Sequence, residues 1–273
     1  MDRKKICISV LLYLGGAAVF ILGNPYFRVF PTNWNLTYYL ALAVTFLVLA
    51  IAFRRIERLT RYSPALFALF IASSALLFLK IGILDLPRDE SKPQQFLALD
   101  KLSQFLHVVS VILMLTLIAR DDLKSIFIQK GNWKYGLTFG LISFVGFTAL
   151  GIFLQWDSRA SFSNLPAAIL WLLVFVFANA TMEELWFRAI FLKKYEQLIG
   201  RKAAILVTAL VFGSSHVFAT YDFPGGGLVF GVVVFCLGVI GAQAMFKEDG
   251  PIGPILFHAG YDMVIIIPVL NSL

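Results

Sequence analysis

Long apolar runs recur along the chain at roughly 6–23, 37–53, 64–84, 103–119, 135–154, 165–192, 202–220, 227–246 and 251–270, with short polar connections between them. A bilayer core of about 30 Å needs about 20 apolar helical residues. Each run therefore predicts a membrane-spanning helix. None alternates apolar and polar positions with period two, which argues against a β-barrel. The expected fold is an all-α polytopic membrane protein, a bundle of about eight to nine transmembrane helices with an intramembrane polar cavity. The longest non-apolar connection, 85–102, is too short to hold a core of its own. No internal repeat and no low-complexity segment interrupts the pattern.

Composition agrees. Of 273 residues, 59% are hydrophobic and only 14% charged, against about 45–50% and about 25% in soluble domains. This excludes a water-soluble enzyme, a disordered tail and a coiled coil. Two cysteines, Cys7 and Cys236, both inside apolar runs, exclude a disulfide framework and any Cys-rich metal centre. The net charge of +7 is what basic cytoplasmic loops produce and is no argument for nucleic acid. Lys and Arg cluster before the first run (Arg3, Lys4, Lys5) and after the second (Arg54, Arg55, Arg58, Arg61), the fourth (Arg120, Lys124, Lys130, Lys134) and the sixth (Lys193, Lys194, Arg201, Lys202). The intervening connections are poor in basic residues or balanced by acids. This alternation predicts an N-terminus inside and a C-terminus outside, hence an inner-membrane location if the protein is bacterial. The first run also resembles a signal peptide, but Gly23-Asn24-Pro25 is a poor cleavage site, so a retained anchor is expected. Lys80, near the outer end of the third run, is expected to snorkel.

Ionisable residues are nearly absent from the first five runs and gather in the last four: Glu183, Glu184, Arg188, His216, His258 and Asp262. An ionised side chain at mid-bilayer costs roughly 2.5–3.5 kcal/mol on insertion scales, so such groups are functional candidates. Glu183 and His216 both lie about sixteen residues from the turn near Gly200, which in an antiparallel hairpin puts them at one depth, roughly 24 Å along each helix. Glu184 and Arg188, and likewise His258 and Asp262, are four residues apart and share a helix face. Three helices thus aim polar groups at one point. Each group has a bland reading: Glu184–Arg188 as a structural ion pair, His216 as a packing residue, Pro251 and Pro254 as a helix start. Gly227, Gly231, Gly238 and Ala242 form a close-packing face, and His107 is read as structural. The bland readings leave the common depth unexplained.

At these residues the chain resembles the CAAX protease and bacteriocin-processing (CPBP, or Abi) intramembrane proteases, which include the endopeptidases that convert prenylated Ras-type proteins. Glu183-Glu184-Leu185-Trp186-Phe187-Arg188 fits EExxxR, Phe212-Gly213-Ser214-Ser215-His216 fits FxxxH, and His258-Ala259-Gly260-Tyr261-Asp262 fits HxxxN/D. The resemblance covers roughly 165–270. It implies a catalytic core over 135–273, with the motifs inside 165–270, preceded by helices in 1–134 whose role it leaves unassigned. It implies Glu183 as the base that activates a water shared with His216, and His258 with Asp262 at the oxyanion. Glu184 and Arg188 would orient the site or substrate, and Phe212 would pack the helix bearing His216. Many relatives carry Asn where this chain has Asp262. An Asp donates a hydrogen bond only when protonated, or it orients His258 as an acceptor.

The chemistry stands on its own terms: peptide hydrolysis needs an activated water, a proton shuttle and oxyanion donors. Glu183, His216 and His258 could alternatively ligate zinc. HExxH is absent and no His pair sits one helical turn apart, so no metal and no other cofactor is favoured. The expected partners are the lipid bilayer and a membrane-anchored protein or peptide. That substrate is either prenylated and CAAX-type or C-terminally anchored, and no nucleic acid is expected. Two other classes stay open: a non-catalytic relative acting as scaffold or immunity factor, and a secondary transporter, since Pro224–Gly227 and Gly250–Pro254 interrupt the apolar runs. No residue specifies an oligomeric state.

Overall fold

The computed structural model describes residues 2–23, 35–154, 165–219 and 224–272, and they are helical with no strand among them. Helices α1 (Arg3–Phe20), α2 (Asn35–Arg55), α3 (Ser63–Ile81), α4 (Pro93–Ile118) and α5 (Trp133–Leu154) precede the motifs. Helices α6 (Leu165–Glu183) and α7 (Ile190–Ile199) are joined without a break by a π-helical turn, Glu184–Ala189. Then follow α8 (Arg201–His216), α9 (Gly226–Glu248) and α10 (Ile252–Ser272). With α6 and α7 as one rod, the described residues form nine rods, one for each apolar run. Asn24, Pro25 and residues 220–223 lie outside the described residues.

Among the described residues, six helices are long and apolar enough to cross a membrane by length and composition, and the stretch Ile252–Pro268 of α10 counts as a shorter apolar helix. The others have local reasons to differ. α1 begins with three basic residues. α8 has 16 residues, about 24 Å of helix, and ends at His216. One boundary moves substantially. The connection expected over 85–102 is a loop only as far as Lys92, and α4 starts at Pro93. Proline suits the first turn of a helix, where its missing N–H costs nothing. The turn before it is set by Asp89, whose carboxylate accepts from the Ser91 hydroxyl and N–H; these bonds hold it below its usual range. Asp100 and Lys101 therefore sit on a helix, not in a loop.

Packing follows small residues. A Cβ at Gly260 would lie 2.8 Å from Phe144 Cα, and one at Gly140 2.6 Å from Leu256 Cβ, so α10 and α5 meet nearly backbone to backbone. The small-residue face of α9 meets α8: a Cβ at Gly227 would lie 2.1 Å from the Val217 carbonyl, and one at Gly238 3.3 Å from Ala209. α1, α3 and α4 share one buried core with the π turn, α7 and α8. Phe20 stacks on Phe187 at 4.1 Å, and Trp186 Nε1 donates to the Ala72 carbonyl at 3.1 Å. The outside is apolar: Ile142 and Phe153 are 70% and 74% exposed, a surface suited to lipid and not to water. This is an integral, polytopic helical membrane protein. Lys80 lies in the last turn of α3 and is exposed. Buried His107 donates from Nδ1 to the Ser103 carbonyl and accepts the Leu84 N–H at Nε2, both at 2.8 Å, a structural tie.

The basic connections collect at one end. Lys193 Nζ donates to the Lys124 carbonyl and pairs with Asp249 at 2.8 Å, and the Asn132 N–H donates to the Glu248 carbonyl at 2.6 Å. At this end buried Glu248 accepts the N–H groups of Ile252 and Gly253 at 3.2 and 2.7 Å, capping α10. Gly136 makes room, since a Cβ there would lie 2.3 Å from the Glu248 carboxyl carbon. Replacing a capping acceptor costs about 0.5–2 kcal/mol. Glu248→Ala is thus expected to lower stability by about 1–2 kcal/mol, measured by unfolding in detergent, with Glu248→Gln intermediate. Equal stability of Glu248→Ala and the unsubstituted protein would refute the cap.

Candidate active site

The π turn decides which side chains reach the interior. Before it, Asn179 and Glu183 lie one helical turn apart on α6 and line a cavity of about 310 Å³. Within it, Glu184 and Arg188 are each 1% exposed and aim toward α8, α9 and α10. π turns inside α-helices often occur at functional sites.

A chain of ionic contacts starts at Arg188. Its Nη1 donates to Glu184 Oε1, and its guanidinium lies 4.2 Å from the Phe212 ring centroid, a cation–π contact. Gly238 and Gly241 leave space for it: a Cβ at either would come within 3.4–3.6 Å of the guanidinium. The same Glu184 Oε1 accepts from His258 Nδ1 at 2.7 Å. His258, 1% exposed, is stacked on by Tyr261 at 4.4 Å and 19°. Its Nε2 faces Glu183 Oε2 at 3.5 Å and Asp262 Oδ1 at 3.6 Å. Carboxylate oxygens thus face both nitrogens of His258, with Nδ1 in a hydrogen bond to Glu184 and Nε2 turned toward Glu183 and Asp262.

His216 enters from the end of α8. Its Nδ1 donates to the Phe212 carbonyl at 2.8 Å, and the Phe212 ring packs on it edge to face at 4.5 Å. This leaves Nε2 as an acceptor, 3.7 Å from Glu183 Oε2. Two acceptors at that separation are not hydrogen-bonded to each other. All seven sequence-selected residues, Glu183, Glu184, Arg188, Phe212, His216, His258 and Asp262, thus meet at one place.

Asp262 differs from expectation in detail. The acceptor that orients His258 at Nδ1 is Glu184, not Asp262. Asp262 Oδ2 instead accepts from Asn179 Nδ2 at 2.9 Å. Asn179 is buried, and its own carbonyl oxygen has no partner. Sequence reasoning missed Asn179, although its spacing from Glu183, one turn earlier on the same face, was a readable signal. It also missed Tyr261, whose buried hydroxyl is unpartnered, and Lys101 and Gln104 of α4, which line the cavity. Among the described residues, no three His, Cys, Asp or Glu side chains are grouped to hold a metal ion.

The cavity occupies the half of the bundle away from the basic connections. It is lined by the far ends of α1, α3 and α8 (Phe20, Leu79, His216) and by the beginnings of α4 and α9 (Lys101, Phe230). Its volume far exceeds the ~10–15 Å³ that one water needs.

Fold and site together define a polytopic helical membrane protein with a buried Glu/His centre beside a cavity roomy enough for several waters. Residues 165–264 match the family model described as type II CAAX prenyl endopeptidase Rce1-like, so the motif-bearing segment is similar to a membrane protease family. No curated protein and no solved structure matches the chain significantly.

Breaking a buried ion pair by removing one partner typically costs about 3–5 kcal/mol, whereas replacing both by apolar residues is often neutral. Arg188→Met is therefore expected to destabilise by about 3–5 kcal/mol, and Glu184→Leu with Arg188→Met to recover much of that loss. Additive losses in detergent unfolding would show that the two side chains act independently.

Proposed function

We propose that this chain is an intramembrane endopeptidase that cleaves a membrane-associated protein with a water activated by Glu183 and His216. The observation that carries the reading is the approach of one carboxylate oxygen, Glu183 Oε2, to two imidazole Nε2 atoms at 3.5 and 3.7 Å on the wall of a cavity. The similarity of residues 165–264 to prenyl endopeptidases supports it.

A water in the gap donates one hydrogen to Glu183 and one to His216, both acceptors. Its oxygen attacks the scissile carbonyl carbon while Glu183 takes the proton. The C–N bond then breaks, and the proton passes to the leaving amine. His258 Nε2–H, held by Glu184 at the opposite nitrogen, donates to the oxyanion. The second N–H of Asn179 supplies the amide donor that Asp262 lacks, and the carboxylate of Asp262 holds that amide in place. Glu184 and Arg188 act by positioning His258. The reading is metal-free. Zinc, the alternative, would be held by Glu183, His216 and His258, so activity that persists in a strong chelator supports the metal-free reading. Loss restored by zinc overturns it.

The positive-inside rule puts the basic end of the bundle in the cytoplasm and the cavity in the opposite half. That placement favours a C-terminally anchored tail over a prenylated peptide, whose modified terminus is on the cytoplasmic side. A cysteine at Gln104 is expected to react with an impermeant maleimide added outside, and one at Ser125 only after permeabilisation. The reverse pattern would favour the prenylated class instead.

Removal of a general base costs typically 10²–10⁴-fold. Membranes of cells expressing the protein are expected to accumulate new protein C-termini, read by mass spectrometry. Glu183→Gln and His216→Ala should reduce that accumulation at least ~100-fold. Asp262→Asn is expected to retain cleavage, while Asn179→Leu loses most of it. The same termini at the same level with Glu183→Gln would reject catalysis and favour a scaffold.

A further inference from the structure

A second cavity, of about 760 Å³, opens at the basic end, between α2, α3, the end of α4 and α7. Its walls divide by chemistry. Ile51, Phe67, Phe70 and Ile118 form an apolar side, and Ile51 and Ile118 are 50% and 69% exposed on the lipid-facing surface. Arg54, Arg120, Lys193 and Lys194 form a basic side with one acid, Asp121.

Lys194 is the unusual member. It is 6% exposed, and its Nζ has no hydrogen-bond partner. Asp121 is 3.7 Å away, beyond hydrogen-bond range, and its oxygens already accept from the Asp122 N–H and the Ser125 hydroxyl. Lys193 is committed to Asp249. An ammonium has three donors; the ion pair with Asp121 offsets its charge but leaves all three without a hydrogen bond, and burying such donors is costly. What would satisfy Lys194 is an anion inside the cavity, approached also by Arg54 and Arg120.

We propose that this cavity binds the phosphate of an anionic phospholipid, with Lys194 as the buried counter-charge, Arg54 and Arg120 at the rim, and an acyl chain along the apolar side. Basic pockets between membrane helices at the cytoplasmic face are suited to such headgroups. The site is separate from the Glu183 centre. Lys194 is eleven residues further along the same rod, about 16 Å, so the proposal does not depend on the protease reading.

Native mass spectrometry of the full chain in a neutral detergent tests it, with phosphatidylglycerol, phosphatidylcholine and inorganic phosphate as probes. Phosphatidylglycerol is expected to bind at least about fivefold more tightly than phosphatidylcholine, the step one basic residue confers near a membrane surface. Lys194→Gln should remove most of that preference. Arg54→Gln with Arg120→Gln, at exposed positions, should weaken it even where Lys194→Gln fails to fold. Lys92→Gln, at the opposite end, should leave it intact. Equal binding of the two lipids, or a preference untouched by the arginine variant, overturns the proposal. Inorganic phosphate that displaces phosphatidylglycerol at equal concentration overturns the lipid assignment and leaves a soluble phosphate site.

Discussion

A buried cation that cannot lose its charge organises the centre of this protein. Arg188 sits in the cleft that Gly238 and Gly241 leave on α9, against the ring of Phe212. A guanidinium stays protonated in any protein environment, and Glu184 beside it accepts hydrogen bonds from both Arg188 and His258 Nδ1. The chain from Arg188 through Glu184 fixes the ring that faces Glu183 and Asp262. Deep in a bilayer such a cluster survives only if its members satisfy one another, and that requirement joins α6, α8, α9 and α10 into one unit.

The remaining helices serve that unit. The π turn changes which residues face inward, so consecutive Glu183 and Glu184 take different parts: one on the cavity wall, the other packed between helices. Such a turn needs lateral support. Phe20 of α1 and the Ala72 carbonyl of α3 provide it through Phe187 and Trp186. Helices that carry no motif therefore hold the motif helix in its irregular shape and close one side of the cavity.

Much of this was legible in the sequence for a simple reason. Apolar length alone marks a span in a membrane protein, and a charge inside such a run stands out. Thus the rods, the common depth of Glu183 and His216, and the facing pair His258 and Asp262 could be read from spacing. What could not be read had weaker physical signatures. Asn179 is neutral and does not interrupt an apolar run. Lys101 looked like loop because the first turns of α4 are polar, although Pro93 was a start signal. Glu248 resembles any charge at a helix end until its cap is visible. No local residue choice announces the π turn.

The central claim is that one carboxylate and two imidazoles from three distant stretches of chain surround a single solvent molecule. Electron cryomicroscopy of the full chain in lipid nanodiscs, at a resolution that shows ordered water, tests it most directly. The account predicts density for a water touching both Glu183 and His216, with His258 tied to Glu184 at its other nitrogen. Glu183 and His216 on separate faces of the bundle, beyond the reach of one bridging water, would contradict it.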